Sequence, residues 1–334
     1  MMFTNFKDLE AYVLGQNLKK RIALANAHDE PALSAVVHAK RKGVVEGTLI
    51  GKKEMIIDML HEMGENEADY EIVDFDGEEL EAAKIAVKLV KEGKADIPMK
   101  GILQTSSFAK AILNRETGLI PDGARRLVSQ VGIFEYEGRF VMITDAAINI
   151  APDVETQIGI VENALPVAKA LGNDCPKVAI LSAVENVTEK MPSTVSAAAI
   201  KERGIPGCLV TGPLALDGAI SMESVKHKAI KDPVAGQADI LLVPFIEIGN
   251  VLYKAVTYIA GKTVASTICG ASCPVIITSR ADTPDSKYYS ILLAVLRCLK
   301  AERSVCNDKG RRKPSFALPE KWRHLWEKSY LLRR

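Results

Sequence analysis

Strand-sized apolar runs alternate with helix-period segments along almost the whole chain, and that alternation permits few folds. The runs fall at 21–25, 44–50, 71–75, 96–103, 139–144, 177–181, 207–210, 240–243, 263–267 and 274–278. Between them, apolar residues recur at helical spacing over 32–40, 78–91, 108–114, 154–171, 193–203, 221–229, 246–259 and 284–295. Asp29-Glu30-Pro31 sets a capping residue, an acid and an early proline before the first of these, a strong helix start. Strand–helix alternation of this length predicts an α/β fold of mostly parallel sheets covered on both faces. No internal repeat of 20–50 residues is present.

At 334 residues the chain is comfortable for two domains, each able to bury its own core. Hydrophobic residues at 48% and charged residues at 25% are ordinary globular values, which argues against disorder. No apolar run reaches the roughly 18 residues that a membrane span needs. The opening MMFTNFKDLE has no apolar signal region, so the expected compartment is the cytoplasm. The six cysteines follow no framework spacing and read as small apolar residues or thiols of a reducing compartment. Cys269 and Cys273 form a C-x-x-x-C pair, but no nearby histidine or second cysteine pair completes a zinc site, so no metal is expected.

Charge is unevenly placed. Residues 1–296 hold 31 basic and 38 acidic side chains, a mildly acidic body that is no nucleic-acid binder. Residues 297–334 hold twelve basic and four acidic ones, together with both tryptophans, Trp322 and Trp326. The segment 301–334 therefore reads as an atypical basic extension: either a functional arm or sequence unrelated to the body. The abrupt change in composition favours the second.

Chemistry-bearing residues cluster where apolar runs end, the place at which α/β sheets take ligands. Lys100-Gly101 and Gln104-Thr105-Ser106-Ser107 follow one run; Asp145 follows another. Ser279 and Arg280 come just after 274–278. An arginine fork pairs bidentately with phosphate oxygens, and hydroxyls with backbone N–H groups at a helix start suit an anion. Each residue also has a structural reading: Thr105 and Ser106 as helix caps, Asp145 as a residue that only orients backbone between the domains, Ser279 as a turn residue, Arg280 paired with Asp282, Asn250 as a cap and Lys254 solvated. His227 reads by default as structural.

The passage DPVAGQADILLVPFIEIGNVLYK, 232–254, followed by Thr278-Ser279-Arg280, resembles the phosphate acetyl/butyryltransferase family, its butyryl branch in particular. Met99-Lys100-Gly101, Ile143-Thr144-Asp145, 176–179 and 212–217 resemble it too, and the likeness runs over roughly residues 1–296. The resemblance implies two α/β/α domains with a cleft between them, in the arrangement of isocitrate and isopropylmalate dehydrogenases. The first would comprise 1–140 plus 274–300, and the second 141–273. It implies acyl transfer between coenzyme A and phosphate within a ternary complex, with no metal, no tightly bound cofactor and coenzyme A as substrate. The partners implied are acyl-CoA, phosphate and further copies of the chain.

By the same resemblance, Arg280 anchors phosphate and Ser279 assists the transition state. Deprotonating the thiol needs a carboxylate. The acetyl branch has an aspartate seven residues after the serine, where this chain has Ser286, so the nearby Asp285 is taken as the base; its structural alternative is an inert carboxylate favourable to the helix dipole. Lys100, Thr105, Ser106, Lys110, Asp145, Asn250 and Lys254 are the expected substrate-binding residues. Two departures from the branch, Phe245 and Ile248, leave room for a non-catalytic coenzyme A or phosphate binder. A dehydrogenase of the same architecture would need clustered aspartates and a cofactor loop, and the sequence offers neither.

Overall fold

The computed structural model of the protein describes residues 2–279 and 282–309, with side chains of the last helix through residue 302. Met1–Cys298 forms one compact unit and Leu299–Arg334 a second. Trp322, Trp326 and the basic cluster after Lys309 lie outside the described residues.

In chain order the first unit opens with α1 (Phe6–Leu14), β1 (Lys20–Ala25), α2 (Glu30–Arg41), β2 (Val45–Gly51), α3 (Lys53–Glu62), β3 (Glu71–Asp74), α4 (Glu79–Lys91), β4 (Ile97–Lys100) and α5 (Thr105–Ile112). Next come β5 (Ser129–Tyr136), β6 (Arg139–Thr144), α6 (Val154–Ala170), β7 (Lys177–Leu181), α7 (Pro192–Arg203), β8 (Leu209–Leu214), α8 (Leu216–Ile220) and α9 (Met222–His227). The last are β9 (Ile240–Leu242), α10 (Ile246–Lys254), β10 (Val264–Cys269) and α11 (Pro284–Lys309).

The strands make two sheets, ordered β3-β2-β1-β4 and β10-β5-β6-β9-β7-β8. The first is wholly parallel; in the second, β5 pairs antiparallel with β10 and β6, and the remaining pairs are parallel. Crossover helices explain the parallel pairs, because two parallel neighbours cannot be joined by a tight turn. The short Glu137-Gly138 link between β5 and β6 permits their antiparallel pairing, with both linking residues at positive φ. Apolar strands such as Ile240–Leu242 are buried throughout, as expected of strands covered on both faces.

Several elements escaped the apolar pattern: α1, α3 and β5. The reverse holds at 274–278, expected to be a strand. It forms no strand but two isolated bridges, Ile276 to Met99 of β4 and Val275 to Ile268 of β10. Pro274 lacks an N–H, and the residues after it divide their pairing between two sheet edges instead of extending one ladder. Val275 and Ile277 are buried in the same apolar cluster as Ala25, Ile50 and Phe108 of the first sheet and its helices, and as Ile268 of the second. The segment is thereby fixed between the two sheets, and Ser279 leaves its end.

Candidate active site

A cleft of about 940 Å³ opens where β4, β6, α10 and the 275–279 segment come together. Six sequence-predicted residues line it: Lys100, Thr105, Ser106, Asn250, Lys254 and Ser279. Gln130, Glu247, Tyr253 and Asp282 line it as well.

Lys100 ends β4 and is buried. Its ammonium donates to the carbonyls of Gly101 at 3.2 Å and Leu103 at 3.0 Å. The backbone packs so closely there that a Cβ on Gly101 would lie 2.2 Å from the Asn26 carbonyl oxygen. Thr105 and Ser106 occupy the first turn of α5, whose flanking Gln104 makes no side-chain cap; the Gln104 N–H donates instead to Glu79 Oε2 at 2.8 Å.

Helix α10 carries Glu247, Asn250, Tyr253 and Lys254 on one face, the i, i+3, i+4 spacing that lets them share a wall. It sits hard against the loop after β6: a Cβ on Gly249 would lie 2.5 Å from the Asp145 carbonyl oxygen. That close approach explains the glycine beside Asn250, whose side-chain amide donates to the Ala146 carbonyl at 3.4 Å. The Tyr253 ring lies where Gly132 leaves space for it, and burial first, then the charge of Asp282, pushes its phenol pKa well up, so it stays protonated.

Asp282 is a cleft-lining carboxylate to which sequence reasoning gave no substrate or catalytic role. It is 8% exposed and lines the cleft beside Ser279, whose N–H donates to Asp282 Oδ2 at 2.7 Å. The Asp282 N–H returns a bond to the Ser279 carbonyl at 3.1 Å. Burial raises the carboxyl above the ordinary aspartate value, while the Ser279 N–H and the ammonium groups of Lys287 and Lys100 pull it back. The signal that could have found it is the three-residue spacing from Ser279, the reach of an aspartate side chain back to a backbone N–H in a turn.

Asp285, chosen by sequence offset, stands elsewhere. It is exposed in the first turn of α11 and is not among the cleft-lining residues. Thr283 caps that helix, accepting from the Ser286 N–H at 3.1 Å, and Pro284 begins it, so the local chemistry turns residues 285 onward away into a helix. Lys110 is likewise exposed, in the last turn of α5, and does not line the cleft. His227, in the last turn of α9, is also exposed and outside the lining. Arg280 lies outside the described residues.

Asp145 sits beneath the cleft instead of in its wall. Buried to 2% exposure, its carboxylate accepts from the N–H groups of Gln130, Ala147, Ile148 and Asn149 and from the Asn149 amide. Of the two cysteines of the C-x-x-x-C pair, burial pushes the Cys269 thiol up and the Cys273 thiol up to about 12. Among the described residues no group of His, Cys, Asp or Glu is placed to hold a metal ion, and no helix is long and apolar enough to cross a membrane.

An α/β fold with a polar cleft at strand ends defines a class of small-molecule enzymes and binders, and sequence comparison narrows it. Residues 79–295 match the family of phosphate acetyl/butaryl transferase, and the chain belongs to that family. Phosphate butyryltransferase of Clostridium acetobutylicum is 42% identical over 301 residues, covering 88% of this chain and 98% of that protein. Phosphate acetyltransferase of Thermotoga maritima is 39% identical over 281 residues, covering 83% of this chain and 95% of that one. The crystal structure of a branched-chain phosphotransacylase from Enterococcus faecalis V583 shares the fold, with a TM-score of 0.74 at 36% identity, over 83% of this chain and 98% of that chain.

Proposed function

We propose that the protein transfers a short acyl group, butyryl foremost, between coenzyme A and inorganic phosphate. Family membership supports the reaction class, and the observation that carries the mechanism is the Ser279–Asp282 pair in the wall of a cleft that also holds Lys100, Asn250 and Lys254.

In the direction from acyl phosphate to acyl-CoA, the Asp282 carboxylate takes the proton from the coenzyme A thiol. The sulfur attacks the acyl carbonyl carbon, the carbonyl electrons move onto oxygen, and on their return the bond from carbon to the phosphate oxygen breaks. Phosphate leaves with that electron pair. An ordinary thiol titrates near 8.5, so about 3% is thiolate at pH 7 and one carboxylate suffices as base. The Ser279 hydroxyl supports the developing oxyanion. Arg280, taken from the family resemblance, holds phosphate, Lys100 and Lys254 add positive charge in the cleft wall, and Asn250, Thr105 and Ser106 orient the rest of the substrate. No acyl-enzyme, metal or tightly bound cofactor enters this scheme.

Thiol release from butyryl-, propionyl- and acetyl-CoA, with and without phosphate, tests the reading. Release is expected to require phosphate and to fall at least 10²-fold in Arg280→Ala. Release that continues unchanged without phosphate indicates a thioesterase and defeats the proposal. One methylene changes discrimination by about 1–3 kcal/mol, so chain-length preference should appear as roughly 10- to 200-fold steps in kcat/KM.

We also infer a cytoplasmic homo-oligomer. Outside the cleft lining, α10 and the turn after it expose Ile248, Val251 and Ile259, the last at 86%. Ile248 and Val251 line an apolar cavity of about 540 Å³ together with Leu181, Leu216 and Leu252, a face suited to a second copy. Light scattering is expected to give at least twice the monomer mass, with Val251→Glu shifting the population to monomer; a wild-type monomer at micromolar concentration refutes it.

A further inference from the structure

We infer that Lys287 is a positioning residue, holding the carbonyls of Ser279 and Asp282 so that both side chains keep their places in the cleft wall. The inference rests on the acyl-transfer reading above. Lys287 lies on the first turns of α11, 1% exposed, and does not line the cleft. Its ammonium donates to the Ser279 carbonyl oxygen at 2.9 Å and the Asp282 carbonyl oxygen at 2.7 Å. The two ends of the catalytic segment are thereby tied to one rigid helix by charge-assisted bonds.

Burying an ammonium is costly, and an apolar side chain of similar length would fill the same space more cheaply. Burial lowers the Lys287 pKa accordingly, while the carboxylates of Asp282 and of Asp29, before α2, support its charged form. The compensation falls on the Ser279–Asp282 segment. The Ser279 and Asp282 carbonyls gain a common donor, and the Asp282 carboxylate gains a neighbouring cation that favours its ionised form. Among the described residues, the charged or titratable groups sensed at Asp282 are Lys287 from α11 and Lys100 from β4, and Tyr253 on α10 senses Asp282 in turn. Of these, Lys287 is the one that also holds the backbone of the segment.

The test compares Lys287→Met and Lys287→Arg in the full-length protein, with folding checked by near-ultraviolet circular dichroism. Lys287→Met is expected to lower kcat on the order of 10²-fold, the effect of displacing reacting groups by about an ångström, with KM for acyl-CoA changed less than threefold. Its acid limb in the kcat/KM profile should move to higher pH, because Asp282 loses a cation that lowers its pKa. Lys287→Arg keeps the charge but alters the donor geometry, so its acid limb should stay in place while kcat falls at least tenfold. A folded Met variant with wild-type kcat and an unmoved acid limb overturns the proposal. Should the Met variant fail to fold, wild-type kcat in Lys287→Arg overturns it and a tenfold loss with the limb in place supports it. Asp282→Asn, assayed in parallel, separates the two levels. Full activity there removes the assigned base, whereas an inactive Asp282→Asn beside wild-type behaviour at Lys287 removes the positioning role alone.

Discussion

Replacing Asp282 by Asn is expected to lower kcat for phosphate-dependent acyl transfer by 10²- to 10⁴-fold, the usual contribution of a positioned general base. The substitution nearly preserves volume and leaves an amide oxygen able to accept from the Ser279 N–H, so the fold should survive it. Asn cannot take the thiol proton. Asp285→Asn, two residues after the Thr283 cap of α11, should leave kcat within twofold because that carboxylate is exposed and outside the cleft lining. The reverse pattern would return the base to Asp285.

The pH dependence follows with a definite sign. A base works ionised, so kcat/KM must fall as pH drops through its pKa. Burial raises the Asp282 carboxyl, with the Ser279 N–H and two ammonium groups opposing. The acid limb of the wild-type profile is therefore expected above the ordinary aspartate value of about 3.9, and should be absent from the residual activity of Asp282→Asn. A limb that persists unmoved in the Asn variant assigns the titration to another group.

The reason Asp282 was not legible in the sequence lies in how acids are chosen by offset. Counting from Ser279 led to Asp285, because offset measures distance along the chain. The helix start at Thr283-Pro284 converts the next three residues into a turn of α11, and it separates the two aspartates by burial: one in the cleft wall, one in solvent. Lys287 shows the same difficulty. A lysine at a helix start reads as solvated, and its burial follows from packing of α11 against β10, where Ser286 and Ser290 accept from the Val264 and Ser266 N–H groups.

Two residues at the ends of apolar runs fared better. Lys100 and Ser279 were readable because apolar runs reveal where a chain emerges from a core, and both do line the cleft. The fold was legible for a similar reason: β1, α4, β6, α6 and β7 carry unambiguous periodicity. The segment Ser129–Tyr136 does not, since Gln130, Gly132 and Glu135 interrupt its apolar residues, and its strand character comes from antiparallel partners on both sides. Helix α3 was missed because it buries just Ile56 and Leu60, too little to print a periodic stripe.

Asp145 is the residue whose expected role the geometry moves furthest from substrate, and its replacement should have the largest effect on stability. Its family motif set it among the substrate-binding residues, with orienting backbone between the domains as the other reading; the substrate role would have put it in the cleft wall. Instead its two oxygens accept five N–H bonds, of 2.6 to 3.2 Å, from Gln130 on β5 and from the loop after β6. Burial pushes the carboxyl up and these donors pull it down, so much of its interaction is local. Bonds to a charged acceptor contribute about 1.5–3 kcal/mol each, and buried donors left unpaired cost about 1–3 kcal/mol, with neither sum additive. Asp145→Ala is therefore expected to lose about 3–5 kcal/mol, a large share of the 5–15 kcal/mol typical of a folded protein. Asp145→Asn, which keeps one acceptor but turns an NH₂ toward Asn149 or its neighbours, should lose about half as much. Urea-unfolding midpoints measure both. In the folded fraction, KM for phosphate and for acyl-CoA should stay within threefold of wild type, since α10 rests on the Asp145 backbone and not on its carboxylate. An unchanged midpoint with a tenfold rise in KM for phosphate would restore Asp145 to the substrate site; a lower midpoint with unchanged KM makes it the keystone of the loop on which Gly249 and Asn250 are seated.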